Sequence, residues 1–78
     1  MKIERKGNTL EIDREEVGLE LVKWRLRQGL TQQELAQQWG MSRYTIIRAE
    51  KGKNVSWQFA YAIWSKLSQE LRKEAGHE

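Results

Sequence analysis

Five side chains between Arg43 and Lys51 have the types and spacing needed to contact a nucleic acid. A helix turns by about 100° per residue, so a helix here would gather on one face Arg43, Tyr44, Ile47, Arg48 and Lys51. The opposite face would hold Thr45, Ile46 and Ala49. Arginine can donate two hydrogen bonds to guanine, isoleucine can pack on a thymine methyl, and lysine can pair with a phosphate. The pattern therefore predicts a DNA-contacting helix.

The positive charge of the chain is concentrated in the same region. The formal net charge is +3 over 78 residues. Residues 43–54 contain four Lys or Arg and one Glu, a net +3, whereas residues 1–16 carry −1, residues 17–42 carry +1 and residues 55–78 carry 0. A local excess of this kind favours an acidic partner such as duplex DNA.

The residue types give little support to catalysis or metal binding. The single histidine, His77, lies in a charged tail, and the chain has no cysteine to act as a nucleophile or thiolate ligand. Glu15 with Glu16, or with Asp13 nearby, could be imagined as an acid and base pair. Carboxylates at the start of a helix, however, commonly cap it. We therefore expect no enzyme activity, no metal, no cofactor and no small-molecule ligand.

Capping residues predict two short helices joined by a tight turn. Thr31 and Glu34 fit a capping box for a helix that ends at Gly40, where a left-handed backbone costs least. Ser42 fits the N-cap of the next helix, which carries the basic face and would stop at Gly52. This layout is one way of placing a helix in the DNA major groove.

The amino-terminal residues predict a short β-hairpin. Over residues 2–12 the pattern alternates weakly, with Ile3 and Leu10 apolar on either side of Gly7 and Asn8. The unpaired edges of such a hairpin could also pair across a dimer.

Two longer helices are predicted on either side of the helix pair. Asp13 fits the cap of a helix that reaches about Gln28, in which Gly18 weakens the helix or marks its true start. Residues 56–75 contain no Pro or Gly, so we expect one long helix with a frayed end rather than two helices.

The segment of residues 30–53 resembles the helix-turn-helix of the lambda-repressor-like family, also called the Cro or XRE type, whose members bind specific DNA sequences. The matching positions are Leu30, Thr31, Gln32, Glu34, Leu35, Ala36, Gly40, Ser42, Ile46, Glu50 and Gly52, with Leu21, Trp24 and Arg25 upstream. The resemblance covers about residues 17–67. It implies a mainly α, compact domain of four to five helices, to which the hairpin would be added.

The resemblance also implies roles for individual residues. It places Arg43, Tyr44 and Arg48 where the family contacts bases or backbone, and we assign Arg43 chiefly to a base. For Arg48 a base and a phosphate are equal alternatives, and Tyr44 fits a base edge or, more simply, a phosphate. Gln32 would anchor a phosphate at its helix start and brace Arg43. Ile47 fits a thymine methyl or packing on a neighbouring side chain equally well.

The remaining polar residues divide between DNA backbone and scaffold. With Gln32, the predicted backbone contacts are Ser42, Thr45, Lys51, Lys53 and Asn54, of which the two hydroxyl residues fit a structural role better. Arg25 and Glu50 match positions that form a structural ion pair in the family. Ala49 stands where the family often has a bulkier residue, which leaves room for Trp24 or Trp39 to pack inward.

The C-terminal helix has more apolar surface than one buried face requires. Beside a core stripe of Ala60, Ile63 and Leu67 lie further large side chains, of which four form a predicted dimer interface: Trp57, Tyr61, Trp64 and Leu71. A twofold dimer would place two recognition helices about one DNA turn apart on a palindromic site. The alternative is that these side chains complete the core or lie on the hairpin.

The length and composition suit one small binding module. We expect an N-terminal segment at residues 1–14, a DNA-binding domain at residues 15–67 and a helical extension and tail at residues 68–78. No apolar run is long enough for a signal peptide or membrane span, so we expect a soluble, cytoplasmic and nucleoid-associated protein. We expect a homodimeric repressor. The resemblance also implies an origin on a mobile element, where regulators this short are common. An activator, or an antitoxin-like module that binds DNA and a protein partner, is the alternative.

Overall fold

The chain forms a two-stranded hairpin followed by four helices in a computed structural model, which describes residues 3–6 and 9–76, with side chains for residues 13–75. In order, the elements are β1 (Ile3–Lys6), β2 (Thr9–Ile12), α1 (Arg14–Arg27), α2 (Gln32–Trp39), α3 (Arg43–Lys51) and α4 (Trp57–Gly76). This agrees with the predicted mainly α domain. Among the described helices, none combines the length and apolar character that a membrane crossing requires.

The predicted hairpin is present as an antiparallel pair of strands. Ile3 pairs with Ile12 and Lys6 pairs with Thr9. The second strand, β2, contacts α4, so the hairpin lies against the last helix. The turn residues predicted from sequence, Gly7 and Asn8, lie outside the described residues.

Helix α1 is capped as predicted, but it does not start at Gly18, which was one role predicted for that glycine. The Asp13 carboxylate accepts hydrogen bonds from the amides of Glu15 and Glu16 at 3.1 and 3.2 Å. Gly18 does not start the helix, because α1 begins at Arg14; Gly18 lies within the helix and is buried. A Cβ at Gly18 would lie 2.5 Å from the carbonyl oxygen of Glu50. Glycine is therefore required because α1 passes directly over the last turn of α3.

The caps of α2 and α3 are confirmed. In α2, the Thr31 hydroxyl accepts from the Glu34 amide at 3.0 Å, and the Glu34 carboxylate accepts from the Thr31 amide at 2.9 Å. Gly40 ends α2 with φ of 69° and Gly52 ends α3 with φ of 67°, both in the left-handed region. The Ser42 hydroxyl accepts from the Thr45 amide at 3.1 Å and starts α3. Local residue choice thus fixes the length of both helices.

Helix α4 is one continuous helix, as predicted, but its far end is tied to α1 rather than left unsupported. The Glu74 carboxylate accepts a hydrogen bond from Trp24 Nε1 at 3.0 Å and another from Arg27 Nη2 at 3.2 Å. The side-chain amide of Gln28 donates a third. Three donors from the end of α1 therefore hold the last turns of α4.

Every helix contributes fully buried side chains to a single core. They are Val17 and Leu21 from α1, Leu35 from α2, Ile46 from α3, and Ile63 and Leu67 from α4. Burying each of these side chains is worth about 1.5–3 kcal/mol. Trp24 packs inward at 4% exposure and stacks on the half-buried Trp39, with ring centroids 5.9 Å apart. Packing of its inner face against this core fixes the position of α3.

Candidate nucleic-acid interface

A short turn holds α3 at a defined angle to α2. The Met41 amide donates to the Ala36 carbonyl oxygen at 2.8 Å, which closes the end of α2 around Gly40. Ile46 and Ala49 are buried at 0% and 4% exposure, so the inner face of α3 is fixed against the core. The outer face of α3 therefore has one direction relative to the rest of the chain.

The outer face of α3 carries the basic and aromatic side chains predicted from sequence. Arg43, Tyr44, Arg48 and Lys51 are exposed, with Tyr44 at 68%. Within the described part of the chain, Arg43, Tyr44 and Lys51 form no hydrogen bond or ion pair. Their donors are therefore available to an external acceptor. Ile47 is half-buried, which leaves both of its predicted roles open.

Arg48 has an intramolecular partner that sequence reasoning missed. Its guanidinium carbon lies 5.4 Å from the centroid of the Phe59 ring in α4. This distance is within the range of a cation–π contact, which leaves the N–H groups of the guanidinium unpaired. Arg48 thus lies at the edge of the α3 face that borders α4.

A partly buried polar network joins α1, α2 and α3 behind this face. Arg25 Nε donates to Glu50 Oε2 at 2.6 Å, and the two side chains are 13% and 8% exposed. Arg25 Nη1 donates to the Leu30 carbonyl oxygen at 2.9 Å, and Gln32 Nε2 donates to Glu50 Oε1 at 2.9 Å. Removing one member of an ion pair leaves an uncompensated charge, which costs about 3–5 kcal/mol in a fully buried pair and less in this partly buried one. The network therefore fixes the end of α3 to both preceding helices.

The position of Gln32 differs from the expected one. The resemblance implied that Gln32 braces Arg43, but in the described part of the chain its amide nitrogen is bonded to Glu50 and no hydrogen bond joins it to Arg43. Gln32 is the first residue of α2 and is half-buried. Its main observed role is to complete the partner set of the Glu50 carboxylate.

Ser42 and Thr45 are engaged with each other at the start of α3. Their hydroxyl oxygens lie 2.9 Å apart, and the Ser42 hydroxyl also accepts from the Thr45 amide. The Ser42 hydroxyl therefore caps α3, and the Thr45 hydroxyl is hydrogen-bonded to it, so both have a structural contact.

The loop after α3 presents Lys53 and Asn54 at the surface. Both are exposed, and Asn54 has a left-handed φ of 58°. The loop is held by Arg14, whose Nη1 donates to the Val55 carbonyl oxygen at 2.6 Å. At Gly52 a Cβ would lie 2.6 Å from the carbonyl oxygen of Arg14, so only glycine permits this approach. Sequence reasoning missed the role of Arg14, because its partner is 41 residues away.

The four side chains predicted as a dimer interface are not equally exposed. Trp57 and Tyr61 are 45% and 41% exposed, and their rings stack at 5.9 Å between centroids and 4° between planes. Trp64 and Leu71 are half-buried and pack against the core, which matches the alternative that they complete it. Of these four side chains, the exposed aromatic ones are therefore the stacked pair of Trp57 and Tyr61.

Comparison with known proteins identifies the same part of the chain. A family model described as helix-turn-helix matches residues 21–63, which is over half of the chain. The matched segment contains all of α2 and α3, together with residues 21–27 of α1 and residues 57–63 of α4. No curated protein and no solved structure matches the chain.

Proposed function

The chain belongs to the lambda-repressor-like helix-turn-helix family of DNA-binding regulators, and from this premise we propose that it is a sequence-specific transcriptional repressor that binds a palindromic operator as a homodimer. Helix α3 is the proposed recognition helix, inserted into the major groove. That groove is about 12 Å wide, which admits one α-helix. Repression would follow from occupying a promoter. Residues 15–67 form the proposed DNA-binding domain, and residues 68–78 the proposed C-terminal extension and tail.

The observation that carries this proposal is the outer face of α3. Its charged and aromatic side chains are exposed and form no hydrogen bonds within the described chain, while its inner face is fixed by Ile46 and Ala49. The backbone of this face is fixed and its positive charge is concentrated, and an ordinary solvated surface has no reason to combine the two. A rigid element that presents free donors in one direction suits recognition, because little ordering remains to be done on binding.

The individual residues have distinct proposed roles on DNA. Arg43 at the start of α3 would donate to guanine, and Arg48 to a base or phosphate further along the groove. Tyr44 would reach a sugar or phosphate, and Ile47 a thymine methyl. The proposed backbone contacts are Gln32, Ser42, Thr45, Lys51, Lys53 and Asn54, of which the four at positions 42, 51, 53 and 54 are exposed.

The dimer is proposed on the exposed aromatic pair of α4. Trp57 and Tyr61 present stacked rings at 45% and 41% exposure, and aromatic side chains are enriched at protein interfaces. The test is sedimentation equilibrium without DNA on the Tyr61→Ser variant, with Tyr44→Ser as the matched control on α3. Weaker association for Tyr61→Ser alone supports the interface, whereas equal association constants for all three proteins would exclude it.

The first test of function is selection of bound duplexes from a random DNA pool at physiological salt. Affinity is then measured for the enriched duplex and for a scrambled duplex of the same composition. We expect an inverted repeat with half-sites about one turn apart, bound at least about 10³-fold more tightly than the scrambled duplex. Absence of enrichment, with binding that vanishes as salt rises, would leave only a nonspecific basic surface and would favour the antitoxin-like alternative.

A further inference from the structure

The contact between Arg48 and Phe59 gives α4 a part in DNA recognition, and we propose that Phe59 is a positioning residue that selects the base read by Arg48. The inference rests on the proposed function, because it concerns the DNA face of α3. Its basis is the 5.4 Å separation between the Arg48 guanidinium carbon and the Phe59 ring centroid. Phe59 would act only through Arg48, without touching a base itself.

The position of Arg48 on α3 explains why it needs a support that Arg43 lacks. Helical geometry puts Arg48 at the edge of the outer face nearest α4, while Ile46 and Ala49 face the core. Arg48 is exposed and has four rotatable side-chain bonds, so in isolation it would sample many directions. Ordering one long side chain on binding costs conformational entropy, and the ring removes part of that cost in advance.

The chemistry of the contact leaves Arg48 competent to bind DNA. The guanidinium meets the face of the ring, and in the described residues it forms no hydrogen bond or ion pair. Arg25 is the contrasting case, because its donors are used by Glu50 and by the Leu30 carbonyl oxygen. A ring contact therefore orients the charge of Arg48 while all five of its N–H donors remain available.

Phe59 is itself held in place, as a positioning residue must be. It is half-buried and packs against the hydrophobic core. Its amide donates to the Ser56 hydroxyl at 3.0 Å, so it lies in the capped first turn of α4. A change in the position of α4 would therefore move the support of Arg48.

The test uses the full chain and four proteins: wild type, Phe59→Leu, Arg48→Ala and the double variant. Each is used in duplex selection, and each affinity is measured on the duplex enriched by the wild type. Leucine keeps an apolar side chain against the core but removes the ring. We expect Phe59→Leu to weaken binding by about two- to tenfold and to relax base preference at the same position as Arg48→Ala.

The double variant separates positioning from general destabilisation. In the Arg48→Ala background, Phe59→Leu should have no further effect on affinity, since residues that act through one another are coupled. Phe59→Tyr, which keeps the ring, should restore the wild-type preference. Equal losses from Phe59→Leu with and without Arg48 would overturn the proposal, as would a uniform loss across all base positions.

A DNA-free measurement separates this inference from the proposed function. In the wild-type protein, the Arg48 Hδ protons should resonate upfield because of the Phe59 ring current, and the shift should vanish in Phe59→Leu. Enrichment by the wild type with no coupling between the two residues would reject the positioning role alone. No enrichment by the wild type would reject both the proposed function and this role, even if the upfield shift were present.

Discussion

Replacement of Gly18 by alanine tests how closely α1 must approach α3. A Cβ at position 18 would lie 2.5 Å from the Glu50 carbonyl oxygen and 2.6 Å from that of Ala49. Both oxygens belong to the backbone of the last turn of α3, so neither can rotate away as a side chain could. The two helices would have to separate, and the partly buried Arg25–Glu50 pair that joins them would be strained.

Two opposing effects set the expected magnitude. Alanine is favoured over glycine inside a helix by about 1 kcal/mol. The shorter contact falls about 0.9 Å below the 3.4 Å at which ordinary van der Waals contact begins. Overpacking against atoms that cannot move costs at least the usual range of about 1–3 kcal/mol, and here the strained ion pair adds to it. We therefore expect a net loss of about 1–3 kcal/mol, which for a domain of this size lowers the Tm by roughly 5–20 °C.

Thermal and urea unfolding followed by circular dichroism measure this loss. Leu19→Ala is the matched control, because Leu19 is the next residue of α1 and is 55% exposed. Its unfolding free energy should stay within about 0.5 kcal/mol of the wild-type value. A Gly18→Ala protein as stable as the wild type, or more stable, would show that helix propensity outweighs the contact and would refute the close-approach argument.

Three further predictions concern the end of α4 and the DNA face. Glu74→Ala removes the acceptor of three hydrogen bonds from α1 and should destabilise the fold by about 1–3 kcal/mol in urea unfolding, whereas Glu70→Ala, which loses only a 3.9 Å ion pair with an exposed lysine, should change little. Arg43→Ala should lose about 1–3 kcal/mol on the enriched duplex and much less on the scrambled one by fluorescence anisotropy, so equal losses would remove Arg43 from base reading. Lys53→Ala should weaken both duplexes alike and reduce the slope of log affinity against log salt by about 0.9, and an unchanged slope would exclude a phosphate contact.

Helix boundaries were predictable because they depend on neighbouring residues. Thr31 with Glu34, Ser42, and the left-handed glycines at positions 40 and 52 satisfy or end backbone hydrogen bonding within a few residues. The same locality made the outer face of α3 predictable, since a helical period assigns Arg43 and Lys51 to one side whatever packs on the other. The continuity of α4 followed from the absence of Pro and Gly between residues 56 and 75.

The errors and omissions fall where two distant segments meet. Gly18 was considered as a possible start of α1, but it lies within the helix, where α1 passes closely over the last turn of α3. The contacts of Glu74 near the end of α4 were missed, because Trp24, which donates to its carboxylate, is 50 residues away in the sequence. Trp64 and Leu71 were predicted at the dimer interface from the surplus apolar surface of the last helix, and the sequence does not reveal how far the other helices cover them.

The sequence by itself determined the order, length and capping of the helices, the basic face of α3 and the family to which the chain belongs. These depend on the helical period and on hydrogen bonds between residues a few positions apart. Only the tertiary structure decided which side chains remain exposed and which neighbours they contact. It paired Gln32 with Glu50, placed Arg48 over Phe59 and left Trp57 and Tyr61 as the exposed aromatic pair. The reason is that burial and long-range contacts depend on how all four described helices pack together, and no local pattern encodes that arrangement.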